Sequence, residues 1–514
     1  MDPPSNKWLR GGYAARLRTR FARTCTIETI VDFGHAPVFP DADAFPCIVT
    51  MRKTPPPEKH AVRVTQYPRE ELGKDLLASY VDEHAFSLSQ EDLSNDGWTL
   101  EPPAARALLA KLRQNGVRLA EYAGTKPYRG VLTGCNEAFL VDRATKERLC
   151  REHPRSAEVL RKYLRGQDVD RWAPEWAGLW MIYAPWDFDI GSFPAIGKHL
   201  MEHRDALAAR PEVKQDRFPW YAMSRYASDY VALFDTPKIV YQEIQFHPSY
   251  AMDREGLLLN NKAFLLSVDD PWLVAVLNSP AMWWHNWRFL VHLKDEALSP
   301  AGEKMVDVPI PRPTEAQRER AAADVARIVQ LTRASRDSVR AVLDLLRMEY
   351  EVETPGQALE DFTALDSDAF VLEVRKRRPP AAQQKGKPRG RKPLSAPALR
   401  ALRELHEMEA TPIREVRASI ATLERQIADQ VHSAFGLTAQ EPQTAALVKE
   451  PLAAVRAALR TYALRVLAHE QADDADGGEL LGPLVEWQSR APKAAKLAAP
   501  ATPPAGAGGT NATT

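Results

Sequence analysis

Cysteine is scarce in this chain. Cys25, Cys47, Cys135 and Cys150 are the four in 514 residues, and they show neither C-x-x-C pairing nor zinc-ligand spacing with histidine. Reduced thiols in a cytosolic protein are the plain expectation. Long apolar runs are also missing: nothing approaches the ~20 residues of a membrane span, and the N-terminus lacks the apolar core of a signal peptide. Together these absences predict a cytoplasmic protein with no membrane partner. An excess of charge is a third absence. Lys plus Arg and Asp plus Glu number 68 each, so no global field drives the chain onto a polyanion, and nucleic-acid contacts must rest on local patches. Glycine-rich nucleotide loops are a fourth, because Gly506-Ala507-Gly508, the one G-x-G, sits in a Pro/Ala tail and reads as linker.

What is present centres on Tyr128-Arg129-Gly130-Val131-Leu132-Thr133-Gly134-Cys135-Asn136-Glu137-Ala138-Phe139-Leu140, a turn followed by a short strand. Gly130 and Gly134 allow backbone conformations or close approaches that a Cβ forbids. Thr133, Asn136 and Glu137 set a hydroxyl, an amide and a carboxylate close together, a mixed donor and acceptor set of the kind that reads base edges. Arg129 completes the candidate contacts. The competing interpretation is a glycine-punctuated turn whose side chains satisfy local backbone groups.

The stretch resembles the T-G-x-N-E-A-F motif of the TaqI-like specificity domain in adenine-specific DNA methyltransferases of the type IIG restriction-modification and PglX-like phage-defence group. Further matches follow in the family's order: Leu164-Arg165-Gly166-Gln167-Asp168-Val169, Phe193-Pro194-Ala195-Ile196 with His199-Leu200, Trp220-Tyr221, Pro237-Lys238-Ile239-Val240-Tyr241, Asn260-Asn261-Lys262 and Leu277-Asn278-Ser279. Each is weak alone; their order is specific. The resemblance implies methyl transfer from S-adenosylmethionine to a flipped adenine in double-stranded DNA. Catalysis in that family needs a Gly-rich loop of the F-x-G-x-G kind for the methyl donor and an [N/D]-P-P-[Y/F] segment for the target base. Neither occurs in these residues. Asp2-Pro3-Pro4-Ser5 mimics the second, but Ser5 has no ring to stack on a base.

The expectation is therefore the DNA-recognition portion of a site-specific adenine-N6 methyltransferase, catalytically incomplete alone, truncated or split. No residue of this chain is expected to be catalytic or to hold a cofactor or metal. S-adenosylmethionine belongs to the complete enzyme, and an upstream polypeptide carries the catalytic half. The alternative from another class is a stand-alone, non-catalytic DNA-binding subunit of a defence complex; a third is a decayed, inactive remnant.

The predicted architecture is multidomain, α/β and α+β. Residues 1–55 resemble the end of a class I methyltransferase sheet: a basic amphipathic helix from Lys7 to Phe21, then strands at Cys25–Phe33 and Cys47–Arg52. Ser5-Asn6-Lys7-Trp8-Leu9-Arg10, Val31-Asp32-Phe33-Gly34 and Pro37-Val38-Phe39 match the family there. Residues 56–118 read as a connector, with a strand at Ala61–Tyr67 and a helix at Pro103–Asn115 ended by Gly116.

Residues 119–312 are expected to form an α+β target-recognition domain. In it, Arg165 either clamps a phosphate or pairs with Asp168. Lys238 is expected to face a phosphate, with Trp220 and Tyr241 in the core. Asn260, Asn261 and Lys262 offer two amides and a cation in a turn, against the alternative of an Asx-turn hairpin. The helix Pro271–Leu290 carries packing tryptophans, with Arg288 and Lys294 in reach of phosphate. His199-Leu200-Met201-Glu202-His203 fits the zinc pattern H-x-x-E-H, but a third ligand on a following helix is not evident, and a structural helix is expected. Residues 313–470 are expected to be helical, with Thr314 capping a run through Leu346 and a second from Leu399 to Phe435 closed by Gly436. Between them 375–392 reads as a disordered basic loop that either attracts DNA non-specifically or is a merely solvated linker, and 471–514 as a disordered tail.

Overall fold

In the N-terminal sheet, β1 (Thr26–Asp32) pairs antiparallel with β2 (Cys47–Arg52) and parallel with β3 (Ala61–Gln66), which in turn pairs antiparallel with β4 (Phe86–Ser89). A bulge between Ile27 and Thr29 shifts the register. It turns Ile27 and Ile30 toward one core, with Leu9, Val62, Val64 and Trp98, and leaves Val31 facing another, with Phe33, Tyr67 and Val81. The sheet thus runs across residue 55. Two strands and a helix cannot cover an apolar face, and the connector supplies the other two strands. The computed structural model describes residues 6–34, 36, 38–39, 45–68, 71–74, 76–93, 97–293, 297–379 and 393–437. The expected tail at 471–514, the stretch 438–470, residues 380–392 of the basic loop and Lys294 lie outside them.

The last residues of the expected connector, β5 (Gly116–Arg118), pair antiparallel with β16 (Pro309–Pro311) at the far end of the expected middle domain. Between them stand two four-stranded sheets. In one, β6 (Tyr128–Arg129), β10 (Lys238–Gln242), β11 (Tyr250–Asp253) and β13 (Ala263–Leu266) lie antiparallel in the order β11-β10-β13-β6. In the other, β7 (Leu140–Val141), β8 (Leu160–Leu164), β9 (Trp180–Ile182) and β12 (Leu258–Leu259) follow the order β12-β8-β9-β7. A small hairpin, β14 (Val291–His292) with β15 (Leu298–Ser299), lies between β13 and β16 in the chain.

The first of these sheets is buried on both faces, so its strands read as near-continuous apolar runs. Ile239, Tyr241, Tyr250, Met252, Phe264 and Leu266 face one core with the helices Pro271–Leu277 and Pro280–Phe289. Val240, Ala251, Ala263 and Leu265 face the core shared with the second sheet. The period-two alternation therefore sorts residues between two cores.

Two long helices follow. Glu315–Tyr350 begins at a capping box between Thr314 and Gln317, and Ala396–Ala434 begins at Ser395, whose hydroxyl accepts from the Ala398 amide. At one end Ala321, Val325 and Ile328 meet Ile427, Val431 and Phe435 in the sheet's core. At the other, Val342 and Leu346 pack with Leu402, Ala410, Ile413, Phe362 and Phe370 in a separate one. Arg375, Lys376 and Arg377 form the last turn of the helix Ser367–Arg377, and Arg378 is buried, donating to the carbonyls of Tyr350 (3.0 Å) and Pro393 (3.2 Å). The start of the expected disordered basic loop is thus ordered: these cations sit where a helix C-terminus and orphan carbonyls favour them.

The helices are fastened to the middle domain by charge. Arg333, Arg336 and Arg340 share one helix face and pair with Glu255 (3.1 Å), Asp170 (2.6 Å) and Glu175 (2.7 Å). From the second helix, Glu424 takes Arg171 at 2.8 Å and the Trp172 indole N–H at 2.7 Å. Trp172 has φ of +73°, a left-handed backbone held by this bond and by its exchange with β11, where its amide donates to Tyr250.

Candidate nucleic-acid interface

Three motif stretches far apart in sequence meet at one turn. Gly130 lies so close to the turn that a Cβ there would overlap the Asn260 carbonyl, and a Cβ on Gly166 would stand 2.9 Å from the Lys262 carbonyl oxygen. The Gly130 amide donates to Ala263 (2.9 Å), the Val131 amide to Leu259 (2.8 Å) and the Asn260 amide to Leu164 (3.1 Å). Both glycines are required by close backbone approach. Asn260 spends its side chain on the turn, its Oδ1 accepting from the Lys262 amide at 3.1 Å. This is the Asx-turn alternative, and it leaves Asn261 and Lys262 half-exposed at the tip.

Beside that tip stands a carboxylate between two cations. Arg129 donates to Glu243 Oε1, and Lys262 Nζ lies 3.9 Å from Glu243 Oε2. The Glu243 backbone amide donates to the Lys262 carbonyl at 2.8 Å, so carboxylate and turn move together. Arg129 is placed by a row across the sheet. It is the in-register partner of Phe264, which pairs with Tyr241, which pairs with Tyr250. The guanidinium lies 5.0 Å from the Phe264 ring centroid, and the Phe264 and Tyr241 rings are stacked at 5.4 Å. Burial, first, raises the Tyr241 phenol well above its ordinary range.

Several expected contacts prove structural. Thr133 is buried: its hydroxyl donates to Asn136 Oδ1 at 2.7 Å and accepts from the Cys135 amide, and its carbonyl takes Arg210 Nη1 at 3.1 Å. It shapes the turn that leaves Asn136 and Glu137 exposed at the start of the helix Asn136–Phe139. Arg165 and Asp168 take the salt-bridge alternative: two guanidinium nitrogens lie 2.7–2.9 Å from a buried carboxylate, which also accepts from the Arg165 amide. Arg288 is 14% exposed, over the Trp284 ring at 4.0 Å and 3.1 Å from Glu101.

Lys238 is the clearest correction. Expected at a phosphate, it is 0% exposed and paired in register with Asp253 across β10 and β11, at 2.5 Å. Its ammonium also donates to the Phe234 carbonyl at 2.6 Å. Desolvation, first, lowers the ammonium's pKa, with Asp253 opposing. In the H-x-x-E-H segment, His199 is buried and its Nε2 lies 3.1 Å from the Ala138 carbonyl; burial lowers its pKa.

A cleft of about 730 Å³ opens beside Arg165, lined among others by Gln167, Asp170, Glu175, Trp176 and Arg340. Its guanidiniums are outnumbered by the carboxylates of Asp168, Asp170 and Glu175, so it offers no basic groove for a duplex. The sequence-expected residues with chemistry still to present are Arg129 beside the tip, Asn261 and Lys262 on it, and the exposed Asn136 and Glu137. Sequence reasoning missed Glu243, although it follows the predicted strand at Tyr241 by two positions, and it missed the Trp172–Glu424 bond altogether.

Residues 161–310 match the TaqI-like C-terminal specificity domain, and residues 314–431 match a domain of unknown function, DUF8810. The type II methyltransferase M.PaeR7I of Pseudomonas aeruginosa is 24% identical over 280 residues, 52% of this chain and 46% of that protein. Among solved structures, the type IIL restriction-modification enzyme MmeI in complex with DNA overlays with a TM-score of 0.43 at 10% identity, covering 89% of this chain and 49% of that one. The type IIG restriction endonuclease BpuSI overlays with a TM-score of 0.30, also at 10% identity, covering 63% and 41%. The chain thus spans about half the length of the relatives it matches.

Proposed function

We propose that this chain, carrying a TaqI-like C-terminal specificity domain at 161–310, reads the sequence of double-stranded DNA for an adenine-N6 methyltransferase of restriction or phage-defence type. The observation that carries the proposal is the convergence of the Gly130, Gly166 and Asn260 stretches on one half-exposed tip, which bears an amide and a cation and has the Arg129 guanidinium beside it. The homology to a type II methyltransferase supports it. An Asn amide can donate and accept together, as the major-groove edge of adenine requires, and a Lys or Arg matches guanine or phosphate. Packed glycines and a pinned turn fix where those groups point, and fixed geometry is what separates base reading from mere attraction.

The methyl-donor loop and the target-base motif would come from an upstream polypeptide, and S-adenosylmethionine would bind there. Reading this chain's exposed groups requires no cofactor. Asn136 and Glu137 are further candidate contacts on the same domain.

Measuring duplex binding and radiolabelled methyl transfer side by side tests the reading. The chain alone is expected to bind duplex DNA without transferring methyl, and transfer to adenine is expected on adding the polypeptide that carries the missing motifs. Binding that no such polypeptide converts into transfer favours the stand-alone DNA-binding subunit. No duplex binding under any of these conditions overturns the proposal.

A further inference from the structure

We infer that Glu243 is the positioning residue of the proposed reading face: its carboxylate sets the direction of Arg129 and Lys262, and so the discrimination of that face. The inference rests on the DNA-reading proposal for its consequence and on the structure for its mechanism. Glu243 is 20% exposed, whereas the side chains it holds, Arg129 and Lys262, are 39% and 42% exposed. The carboxylate is therefore the inner member of the trio and the cations the outer ones. Each oxygen serves a different cation, Oε1 for Arg129 and Oε2 for Lys262. The Glu243 amide is also bonded to the Lys262 carbonyl, which holds anchor and turn in register.

Two consequences follow from charge. The trio carries one net positive charge instead of two, which limits its pull on any phosphate irrespective of sequence. The guanidinium is held against Phe264 on one side and the carboxylate on another, so only its remaining donors face outward. A cation with one permitted direction discriminates between base edges; a free one neutralises whatever phosphate is nearest.

The test is Glu243→Gln, which keeps an acceptor for Arg129 and removes the charge. Duplex enriched by the wild-type chain from a randomised pool is compared with mixed-sequence competitor across a salt series. The variant is expected to bind competitor more tightly, with a salt slope steeper by about 0.9 and a specific-to-competitor ratio lower by about tenfold, the loss of roughly one oriented contact. Unchanged ratio and slope overturn the inference. So does a changed base preference at one position with an unchanged slope, because Glu243 would then itself touch the base. A second readout needs no DNA. Acylation of Lys262 by an amine-reactive reagent, followed by mass spectrometry against exposed Lys198, is expected to rise severalfold in the variant. Unchanged Lys262 reactivity overturns the positioning role even if the chain binds no duplex, an outcome that would count separately against the DNA-reading proposal.

Discussion

Replacing Lys238 with methionine is expected to cost about 3–5 kcal/mol of stability, the usual penalty for stripping the partner from a fully buried ion pair. Neither Lys238 nor Asp253 has any exposed side-chain surface. Methionine fills much the same volume, so the loss is electrostatic and not a cavity. Asp253 would keep its bonds to the amides of Glu255 (2.8 Å) and Leu257 (3.0 Å) but lose its counter-ion, and the Phe234 carbonyl would lose its donor. Removing Asp253 at the same time restores only part of the loss, because those two amides of the β11–β12 turn are then orphaned. Thermal melting reads the effect as a fall on the order of 10 °C. A change of a degree or two would mean that the pair is not closed to water.

The second large effect is acid sensitivity. His285 is 1% exposed in the tryptophan-bearing helix Pro280–Phe289; its Nδ1 lies 3.1 Å from Asn286 Oδ1, and its Nε2 has no hydrogen-bond partner among the described residues. Burial, first, pushes its pKa down from 6.5 to about 4, with Arg113 and Arg288 acting in the same direction. Between those values the unfolded chain binds a proton that the folded chain does not. The stability that this residue contributes therefore falls as pH drops below about 6.5, and its share of the loss is complete near 4. The loss over that window is on the order of 3 kcal/mol for this residue, and the lowered His199 and His432 add in the same sense. In melting curves between these pH values, His285→Leu is expected to flatten the dependence relative to wild type. An unaltered slope in the variant would place the proton elsewhere.

These two residues also show what the sequence could and could not reveal. The β-rich middle domain, the long helices and the turn at Asn260–Lys262 were legible, because periodicity, caps and turn chemistry are local. The depth of Lys238 was not. A lysine beginning an apolar strand reads as an edge cation, and its partner Asp253 belongs to a different strand whose register no local pattern discloses. Arg165 and Asp168 were legible as a pair, but two physical outcomes fitted the same three-residue spacing until the bidentate geometry decided between them. The connector strand Ala61–Gln66 was found but its parallel pairing with β1 was not, since parallel partners are joined through long crossovers. Trp172 and Glu424 are 252 positions apart, beyond any local signal. Glycine's missing Cβ marks Gly130 in the sequence, and Gly166 lies in the matched Leu164–Val169 segment, but the close approaches that require them exist only in the fold.

Whether the tip reads sequence is decided by selection of duplexes from a randomised pool by the purified chain, wild type against the double variant Asn261→Ala/Lys262→Ala. The half-exposed tip tolerates both changes without loss of fold, so melting should be unaltered. The wild-type chain is expected to enrich one short sequence, and the variant, still folded, to recover no enrichment. A variant that enriches the same sequence as strongly as wild type, or a wild-type chain that returns the pool unenriched, would mean that the tip does not read DNA sequence.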